Sequence, residues 1–236
     1  MKSKFGRVIT AMITPFAADG SLDVEGARSL AKWLVEQGNE ALVLAGTTGE
    51  SPTITQDEQI ELVEAVVDAV DVPIIAGAGS NDTRSAIANT QRCVDAGAQA
   101  ILSVTPYYNR PSQAGLMAHF AEVAASTELP IMLYDIPART GRALDADTIL
   151  QLADEVENIV AVKDAAGDVA STARLIAAAP EGFEVYSGED CLTLSLLAVG
   201  AVGTVSVASH WATPEMVVMM DAFFSGDMAT ARATNQ

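Results

Sequence analysis

The stretch NIVAVKDAAGD, residues 158–168, indicates the fold and raises the question of function. Four apolar residues, 159–162, lead directly into Lys163 and a glycine-containing turn. A short apolar run bounded by turn residues is typical of a buried strand. Lysine is among the residues least often buried without a partner. The stretch therefore predicts a core strand that ends in an ammonium group, and this combination needs an explanation.

Similar apolar runs recur along the whole chain, separated by segments whose apolar residues are three and four apart, as in amphipathic helices. The predicted strands are 8–16, 40–46, 72–79, 100–106, 130–137, 159–165, 183–188 and 203–209. The predicted helices are 24–38, 56–70, 83–97, 114–127, 146–156, 169–179, 191–199 and 214–226. Eight alternating units in 236 residues favour an α/β fold of the (β/α)8 TIM barrel type over an open doubly wound sheet.

Composition excludes several functional classes. The chain carries 31 acidic and 13 basic residues, a formal charge of −18, so nucleic acid is not an expected partner. The sequence has no apolar stretch of membrane-spanning length and no signal-peptide pattern, which predicts a cytoplasmic protein with no membrane partner. No metal-ligand spacing and no nucleotide-binding glycine motif is present, so neither a metal site nor a nucleotide cofactor is expected from the residues.

The chain has two cysteines and two histidines, residue types that often serve in functional sites. Cys93 and Cys191 have neither disulfide-framework nor metal-site spacing, and both are predicted to be small core residues. His119 lies in an amphipathic segment and is predicted to be a surface or boundary residue. His210 follows the last strand, where it could line a pocket.

The carboxyl ends of the strands hold the residue types that chemistry needs, and barrel active sites lie at this end. The second strand ends in GTTG (46–49), which suits either a helix cap or an anion-binding nest. The fourth ends in YYNR (107–110), and the fifth carries Tyr134 and then Arg139. Arginine in such a loop is either a solvated residue or a fork for a carboxylate.

Two interpretations of Lys163 remain open from the residues alone. In the first, the ammonium forms an ion pair with Asp164 or Asp168 at the mouth of the strand. In the second, burial among Ile, Val and Ala lowers the lysine pKa, and the neutral amine attacks a carbonyl to form an imine. An imine of a keto acid is an electron sink, so the neighbouring carbon can lose a proton. This proton transfer requires a shuttle such as tyrosine.

The strand-end motifs together resemble the dihydrodipicolinate synthase family of the pyruvate-dependent, Schiff-base-forming aldolase/lyase superfamily. In order, they are ITAMITPF, GTTGES, TPYYNRPSQAGL, LYDIPARTG, VAVKDAAGD, SGED and GTVSVAS. The resemblance implies condensation of pyruvate with L-aspartate 4-semialdehyde to 4-hydroxy-tetrahydrodipicolinate, in lysine and diaminopimelate biosynthesis. It implies no cofactor, and a homo-oligomer, either tetramer or dimer.

The resemblance also assigns catalytic roles residue by residue. Lys163 would form the imine, and Tyr134 would donate and accept protons beside it. Thr48 would bind pyruvate and link Tyr134 to Tyr108 in a proton relay, with Thr47 lining that relay. Tyr108 would enter from a neighbouring subunit. The assignment therefore predicts a site that one copy of the chain does not complete.

The substrate-binding roles follow from the same resemblance. Arg139 would hold the carboxylate of the semialdehyde, and backbone groups of Gly188 and Val205 would line the pyruvate end. A related aldolase, either N-acetylneuraminate lyase or a 2-keto-3-deoxy sugar acid aldolase, is the alternative, although RTG with YYNRP favours the synthase. A barrel without catalytic activity is a third hypothesis, which the retained lysine, tyrosine and threonine oppose.

Two departures from the family carry expectations of their own. Family members have a helical extension after the barrel, so the barrel is predicted at 1–226 and the start of a truncated helical region at 227–236. Lysine-inhibited members have glutamate where this chain has Ser85 and histidine where it has Gln56, while Asn81 and Tyr107 match. Weak or absent inhibition by lysine is therefore expected.

Overall fold

The computed structural model describes residues 3–236, in which eight parallel strands form a closed barrel. The strands are β1 (Val8–Ala11), β2 (Ala41–Leu44), β3 (Ile74–Gly77), β4 (Ala100–Val104), β5 (Ile131–Asp135), β6 (Ile159–Asp164), β7 (Glu184–Ser187) and β8 (Gly203–Ser206). Each strand pairs with the next, and β8 pairs with β1 to close the barrel. Every predicted strand is present, but each ends earlier than the apolar pattern suggests.

Helices follow every strand and cover the outside of the barrel. They are α1 (Val24–Glu36), α2 (Gln56–Val67), α3 (Thr83–Asp95), α4 (Gln113–Ala124), α5 (Pro137–Thr140), α6 (Ala146–Glu155), α7 (Val169–Ala178), α8 (Thr193–Ala198), α9 (Ser209–Ser225) and α10 (Met228–Thr234). A short 3-10 helix, Asp190–Leu192, precedes α8. The predicted (β/α)8 barrel is therefore confirmed, with α5 as an extra helical turn inside the loop after β5.

Local sequence explains where several helices begin and end. Thr55 and Glu58 form a reciprocal capping box at the start of α2, and Asp23 accepts a backbone hydrogen bond at the start of α1. Gly38 and Gly97 follow α1 and α3 with left-handed backbone, as their positions in the sequence predict. Helix α9 departs from helical geometry at Ala212, two residues before its internal proline.

Side chains divide into two apolar layers because successive strand residues point to opposite faces. Residues such as Ile9, Val43, Met132 and Tyr134 fill the barrel interior. Their neighbours along the strands, such as Leu133, pack outward against the helices. The interior layer fixes the inward direction of alternate residues, and it therefore determines which polar side chains enter the mouth of the barrel.

Gly203 permits the barrel to close. A Cβ atom at this position would overlap the backbone carbonyl of Arg7, which precedes β1. The Thr204 amide donates a hydrogen bond of 2.8 Å to the same carbonyl. Close approach of the two backbones therefore requires glycine at the start of β8.

Candidate active site

Strands β5, β6 and β7 place Tyr134, Lys163 and Tyr186 side by side in register. The register between β5 and β6 shifts at Ile131 and Met132, so that Val160 has no partner in the ladder. Without this irregularity, Lys163 would not lie opposite Tyr134, because pairing is otherwise one residue to one. The shift therefore aligns the lysine with the tyrosine at the carboxyl end of the barrel.

Lys163 is buried, with 5% of its surface exposed, and its Nζ lies 4.4 Å from the centre of the Tyr134 ring. Burial lowers the pKa of this amine from 10.5 to about 8, because desolvation disfavours the charged form. The carboxylate of Asp190, and more weakly that of Glu189, opposes the change, whereas the positive charge of Arg139 adds to it. The amine is therefore much more easily deprotonated than an ordinary lysine.

The ion-pair interpretation of Lys163 is wrong. Asp164 points to the opposite face of β6, where it accepts hydrogen bonds from the Ala166 amide at 2.8 Å and the Thr172 hydroxyl at 2.5 Å. Asp168 instead caps α7 by accepting the Ser171 amide. Both carboxylates thus anchor the loop after β6. Neither forms an ion pair with the amine of Lys163, which lies at the barrel mouth.

Tyr134 is the second buried polar group of the site. Burial raises the pKa of its hydroxyl, and this is the largest influence on that pKa. A hydrogen bond with the Thr47 side chain and the charge of Arg139 lower it in part, while Glu189 raises it further. The phenol therefore remains protonated at neutral pH, and Thr47 lines the same small cavity.

The GTTG turn after β2 brings Thr47 to the tyrosine. Ala45 has a left-handed backbone (φ 51°) that redirects the chain, and the Ser51 amide closes the turn on the Gly46 carbonyl at 3.2 Å. A cavity of about 40 Å³ lies between this turn and Tyr134. Thr48 is the next residue of the turn and is half-buried. The hydroxyl that the structure brings to Tyr134 is thus that of Thr47.

Arg139 lies in α5, the short helix that starts with Pro137 at the end of β5. Its side chain is exposed, and none of the ion pairs within residues 3–236 includes it. It borders a cleft of about 460 Å³ together with Thr47, Tyr107 and Ile136. The guanidinium is therefore available to a ligand that enters this cleft from solvent.

Gly188 follows β7 beside Lys163, and Val205 lies in β8. The Gly188 amide donates a hydrogen bond of 2.7 Å to the Asp164 carbonyl, and a Cβ at Gly188 would lie 3.0 Å from Cγ of Lys163. Val205 is fully buried in the interior layer that also contains Tyr134. Glycine at 188 therefore leaves the lysine room that any larger residue would take.

Tyr108 lies apart from this group. It is 89% exposed and has a left-handed backbone (φ 71°), although its amide donates a hydrogen bond to the Thr140 carbonyl at 3.2 Å. The loop after β4 is thereby tied to the helix that carries Arg139. The ring of Tyr108 extends into solvent and lies outside the interior of its own barrel.

Two predictions for single residues were wrong. Cys191 is exposed, because it falls in the 3-10 helix before α8 and not on the apolar face of a regular helix; Cys93 is buried as predicted. His119 is buried, with its Nδ1 at 3.0 Å from the Thr83 hydroxyl. His210 joins two loops at the rim, since its Nε2 accepts the amide of Ile13 at 3.1 Å.

Asp190 is a site residue that the sequence did not single out. It follows Gly188 and Glu189 in SGED, and its carboxylate has the largest charge effect on the pKa of Lys163. The SGED motif was the only feature of the sequence that pointed to Asp190, because its position near the site depends on how the loops after β7 and β8 pack.

The structure offers no preformed group of three or more histidine, cysteine, aspartate or glutamate residues for a metal ion within residues 3–236. Over the same range, none of the helices combines the length and the apolarity that crossing a bilayer requires.

Comparison with known proteins agrees with this geometry. The model of the "Dihydrodipicolinate synthetase family" matches residues 4–236. The chain belongs to this family. The 4-hydroxy-tetrahydrodipicolinate synthase of Acidothermus cellulolyticus is 51% identical over 234 residues, which cover 98% of this chain and 75% of the relative. Membership confirms the family, the barrel fold and the lyase activity that the sequence predicts.

Solved structures lead to the same family. Dihydrodipicolinate synthase DapA-2 from Bacillus anthracis superposes with a TM-score of 0.97 at 46% identity, covering 99% of this chain and 80% of that one. The enzyme from Cyanidioschyzon merolae, solved with lysine bound, gives the same TM-score, identity and coverage. The arrangement of strands and loops described above is therefore typical of the family.

Proposed function

We propose that this chain condenses pyruvate with L-aspartate 4-semialdehyde through a Schiff base on Lys163, giving 4-hydroxy-tetrahydrodipicolinate for lysine and diaminopimelate synthesis. The observation that carries the proposal is the buried amine of Lys163, 4.4 Å from the ring of Tyr134. With a pKa of about 8, this amine is neutral at pH 7 far more often than an ordinary lysine. Only the neutral amine attacks a ketone.

The first half of the reaction forms a nucleophile from pyruvate. The Lys163 amine adds to the ketone carbon, and loss of water leaves a positively charged iminium. The iminium withdraws electrons from the neighbouring methyl group, which loses a proton and becomes an enamine. In this proposal Tyr134 moves these protons, which is supported by its ring against the amine and by the influence of the Thr47 side chain on the pKa of its hydroxyl.

The second half joins the two substrates and releases the lysine. The enamine carbon attacks the aldehyde carbon of the semialdehyde, and the aldehyde oxygen takes a proton from the Tyr134 relay. The amino group of the bound semialdehyde then adds to the iminium carbon and displaces the Lys163 amine, which closes the ring. The proton balance returns Tyr134 and Lys163 to their starting forms, so the cycle needs only side chains of the protein.

The surrounding residues take supporting roles in the proposal. Thr48, beside Thr47 in the GTTG turn, binds the pyruvate carboxylate through its hydroxyl and the turn's amides. Backbone groups of Gly188 and Val205 line the pyruvate end. Tyr108 acts in a neighbouring copy of the chain, which agrees with its 89% exposure here. The active form is therefore a homo-oligomer, a dimer or a tetramer.

Chemical trapping tests the proposed function directly. The protein is incubated with pyruvate, reduced with borohydride and digested, and the peptides are analysed by mass spectrometry. The expected result is one stable adduct on the peptide that contains Lys163, with Lys32 unlabelled. The control omits pyruvate and should give no adduct. A protein that remains unlabelled at Lys163 would contradict the proposal, whatever else it binds.

The arginine in the cleft supports a carboxylate-bearing second substrate over the polyol aldehyde of a sugar acid aldolase. Arg139 is exposed to the cleft and offers a planar pair of donors that matches a carboxylate. Turnover of pyruvate with L-aspartate 4-semialdehyde and with sugar aldehydes, measured side by side, separates the two functions. Faster turnover of the sugar aldehydes would favour the aldolase.

Replacement of Arg139 by lysine is expected to affect the second substrate only. The KM for the semialdehyde should rise about tenfold, because an ammonium makes one contact where the guanidinium fork makes two. The rate of pyruvate trapping on Lys163 should stay within about twofold. Arg174→Lys, at an exposed position of α7, is the matched control and should change neither value. An unchanged KM in Arg139→Lys would remove Arg139 from the substrate site.

Lysine is expected to inhibit this enzyme weakly or not at all. Ser85 hydrogen-bonds Asp82 at the start of α3, and Gln56 accepts a hydrogen bond from Arg92 at 3.0 Å. Neither side chain supplies the negative charge that would bind an ammonium group of the inhibitor lysine. A titration of the condensation rate with lysine measures the effect. Strong inhibition at sub-millimolar lysine would show that the residues at 56 and 85 do not decide this sensitivity.

A further inference from the structure

Asp190 joins the loops that follow β7 and β8. Its Oδ2 accepts hydrogen bonds from the backbone amides of Val207, at 3.2 Å, and Ala208, at 2.9 Å. Hydrogen bonds from two successive amides to one carboxylate oxygen are charge-assisted and hold the carboxylate in a single orientation. The position of this negative charge is therefore set by the backbone of the barrel rim.

The second oxygen of the same carboxylate is unusual. Oδ1 of Asp190 is excluded from solvent and has no hydrogen-bond partner within the described residues 3–236. A buried carboxylate oxygen without a partner costs free energy, and native structures seldom keep such a group unless it has a function. None of the ion pairs within residues 3–236 joins Asp190 to Lys163, so any effect of this carboxylate on the amine acts through space and not through a direct contact.

The loop that carries Asp190 packs against Lys163. The amide of Gly188 donates a hydrogen bond to the Asp164 carbonyl at 2.7 Å, and Cγ of Lys163 lies 3.0 Å from where a Cβ at 188 would be. The aliphatic part of the lysine is thus confined by the SGED segment, and its amine is confined by the ring of Tyr134. Small displacements of the segment would move the amine with it.

Several charges in the surrounding loops influence the pKa of the Lys163 amine. Asp190 and Glu189 in the loop after β7 raise its pKa, in that order, and Arg139 in the loop after β5 lowers it. Tyr134 is the titratable group in direct contact with the amine. Asp190 is the only one of the two carboxylates that is fixed by backbone hydrogen bonds, because Glu189 is exposed.

We propose that Asp190 is a positioning residue for the Schiff base, a carboxylate held by the β8 loop that presents a fixed negative charge to the Lys163 amine and to the iminium formed from it. The inference rests on the proposed function, since it needs the iminium. The iminium carries its positive charge at the same nitrogen, and a preorganised carboxylate stabilises that charge without reorganising. Asp190 thereby stabilises the positive charge of the iminium. Burial acts on the free amine of Lys163 instead, and favours the neutral form that attacks pyruvate.

The pH dependence of imine trapping tests this role. The rate of adduct formation on Lys163 with pyruvate and cyanoborohydride is measured from about pH 6 to about pH 10, a range that spans the shifted and the ordinary lysine pKa. In Asp190→Asn, the midpoint should move to lower pH by about half a unit or more, because a neighbouring negative charge is lost. In Glu189→Gln, an exposed carboxylate in the same loop, the shift should be clearly smaller.

Two further variants separate charge from structure. Asparagine at 190 keeps an oxygen that accepts both amides, so Asp190→Asn should melt within a few degrees of the wild type. Asp190→Glu restores the charge and should return the midpoint toward the wild-type value. If Asp190→Asn does not fold, Asp190→Ser, which also offers a neutral acceptor, is assayed in its place.

The outcomes distinguish this inference from the proposed function. A wild-type protein without an adduct on Lys163 would contradict the proposed function itself. A wild-type adduct together with an unchanged midpoint in the folded, neutral variant would overturn the role of Asp190 alone. A midpoint that moves equally in Asp190→Asn and Asp190→Glu would assign Asp190 a merely structural role, and would overturn the proposal as well.

Discussion

Replacement of Lys163 by methionine is expected to abolish turnover and to make the protein more stable. The loss of activity should reach about 10⁴-fold or more, the scale seen when a covalent nucleophile is removed. Methionine fills a similar volume but has no amine, so no imine with pyruvate can form. The enamine would not arise by another route in this site, and borohydride trapping should detect no adduct.

The gain in stability follows from the pKa of the same amine. In the folded protein, burial holds the pKa of Lys163 at about 8, compared with 10.5 for an exposed lysine. Protonating the amine at neutral pH therefore opposes folding by up to about 3 kcal/mol. Because methionine removes this cost, the free energy of unfolding at pH 7 should rise by about 1–3 kcal/mol.

The sign of the pH dependence provides a second check. Since the folded-state pKa is the lower one, the unfolded chain binds more protons between about pH 8 and pH 10.5, and wild-type stability rises with pH over that window. The advantage of the methionine variant should thus be largest below about pH 8 and shrink above it. Chemical denaturation at several pH values measures this difference.

Lys32→Met is the matched control, because Lys32 is exposed on α1. It should leave turnover unchanged and alter the free energy of unfolding by no more than about 0.5 kcal/mol. A Lys163→Met variant with appreciable turnover would show that the amine is not the nucleophile. A variant less stable than the wild type would show instead that the contacts of the ammonium, above all with the Tyr134 ring, outweigh its desolvation.

The barrel was predictable because each of its strands is a local signal. Residues 159–162 are apolar on both faces, as a strand buried between a barrel interior and a helix layer must be. Strand ends were less predictable. The apolar pattern continues to residue 16, but β1 ends at Ala11, since Ile13 lies at the rim, where it is partly exposed. Apolar composition reports burial, and rim residues can be apolar without belonging to the ladder.

Lys163 was also visible in the sequence as a candidate, because an ammonium at the end of a core strand conflicts with its surroundings. Residues that depend on loop packing were harder to find. The carboxylate of Asp190 is held at the barrel rim only because the loops after β7 and β8 meet, and a single sequence contains no signal for that contact between loops. Cys191 was misplaced for a related reason, since a 3-10 turn shifts it off the face that helical periodicity assigns.

The second large effect is expected for Tyr134→Phe, which should slow turnover while pyruvate binding remains. Phenylalanine keeps the ring that contacts the Lys163 amine and fills the same buried space. It removes the hydroxyl whose pKa the Thr47 side chain influences and that carries the protons of the proposed mechanism. The turnover number should fall by about 10²–10⁴-fold, the usual cost of losing a general acid–base group.

Trapping experiments and a second tyrosine make this prediction specific. The Tyr134→Phe protein should still form the borohydride adduct on Lys163, so the defect lies after pyruvate binding. Tyr186→Phe is the control. Tyr186 lies beside Lys163 on β7, whereas Tyr134 lies beside it on β5, and the Tyr186 hydroxyl donates a hydrogen bond to Glu184 at 2.7 Å. That variant should lose about 1–2 kcal/mol of stability but keep its turnover. Near-normal turnover in Tyr134→Phe would remove this tyrosine from the proton relay, and the relay would then have to start from Thr47.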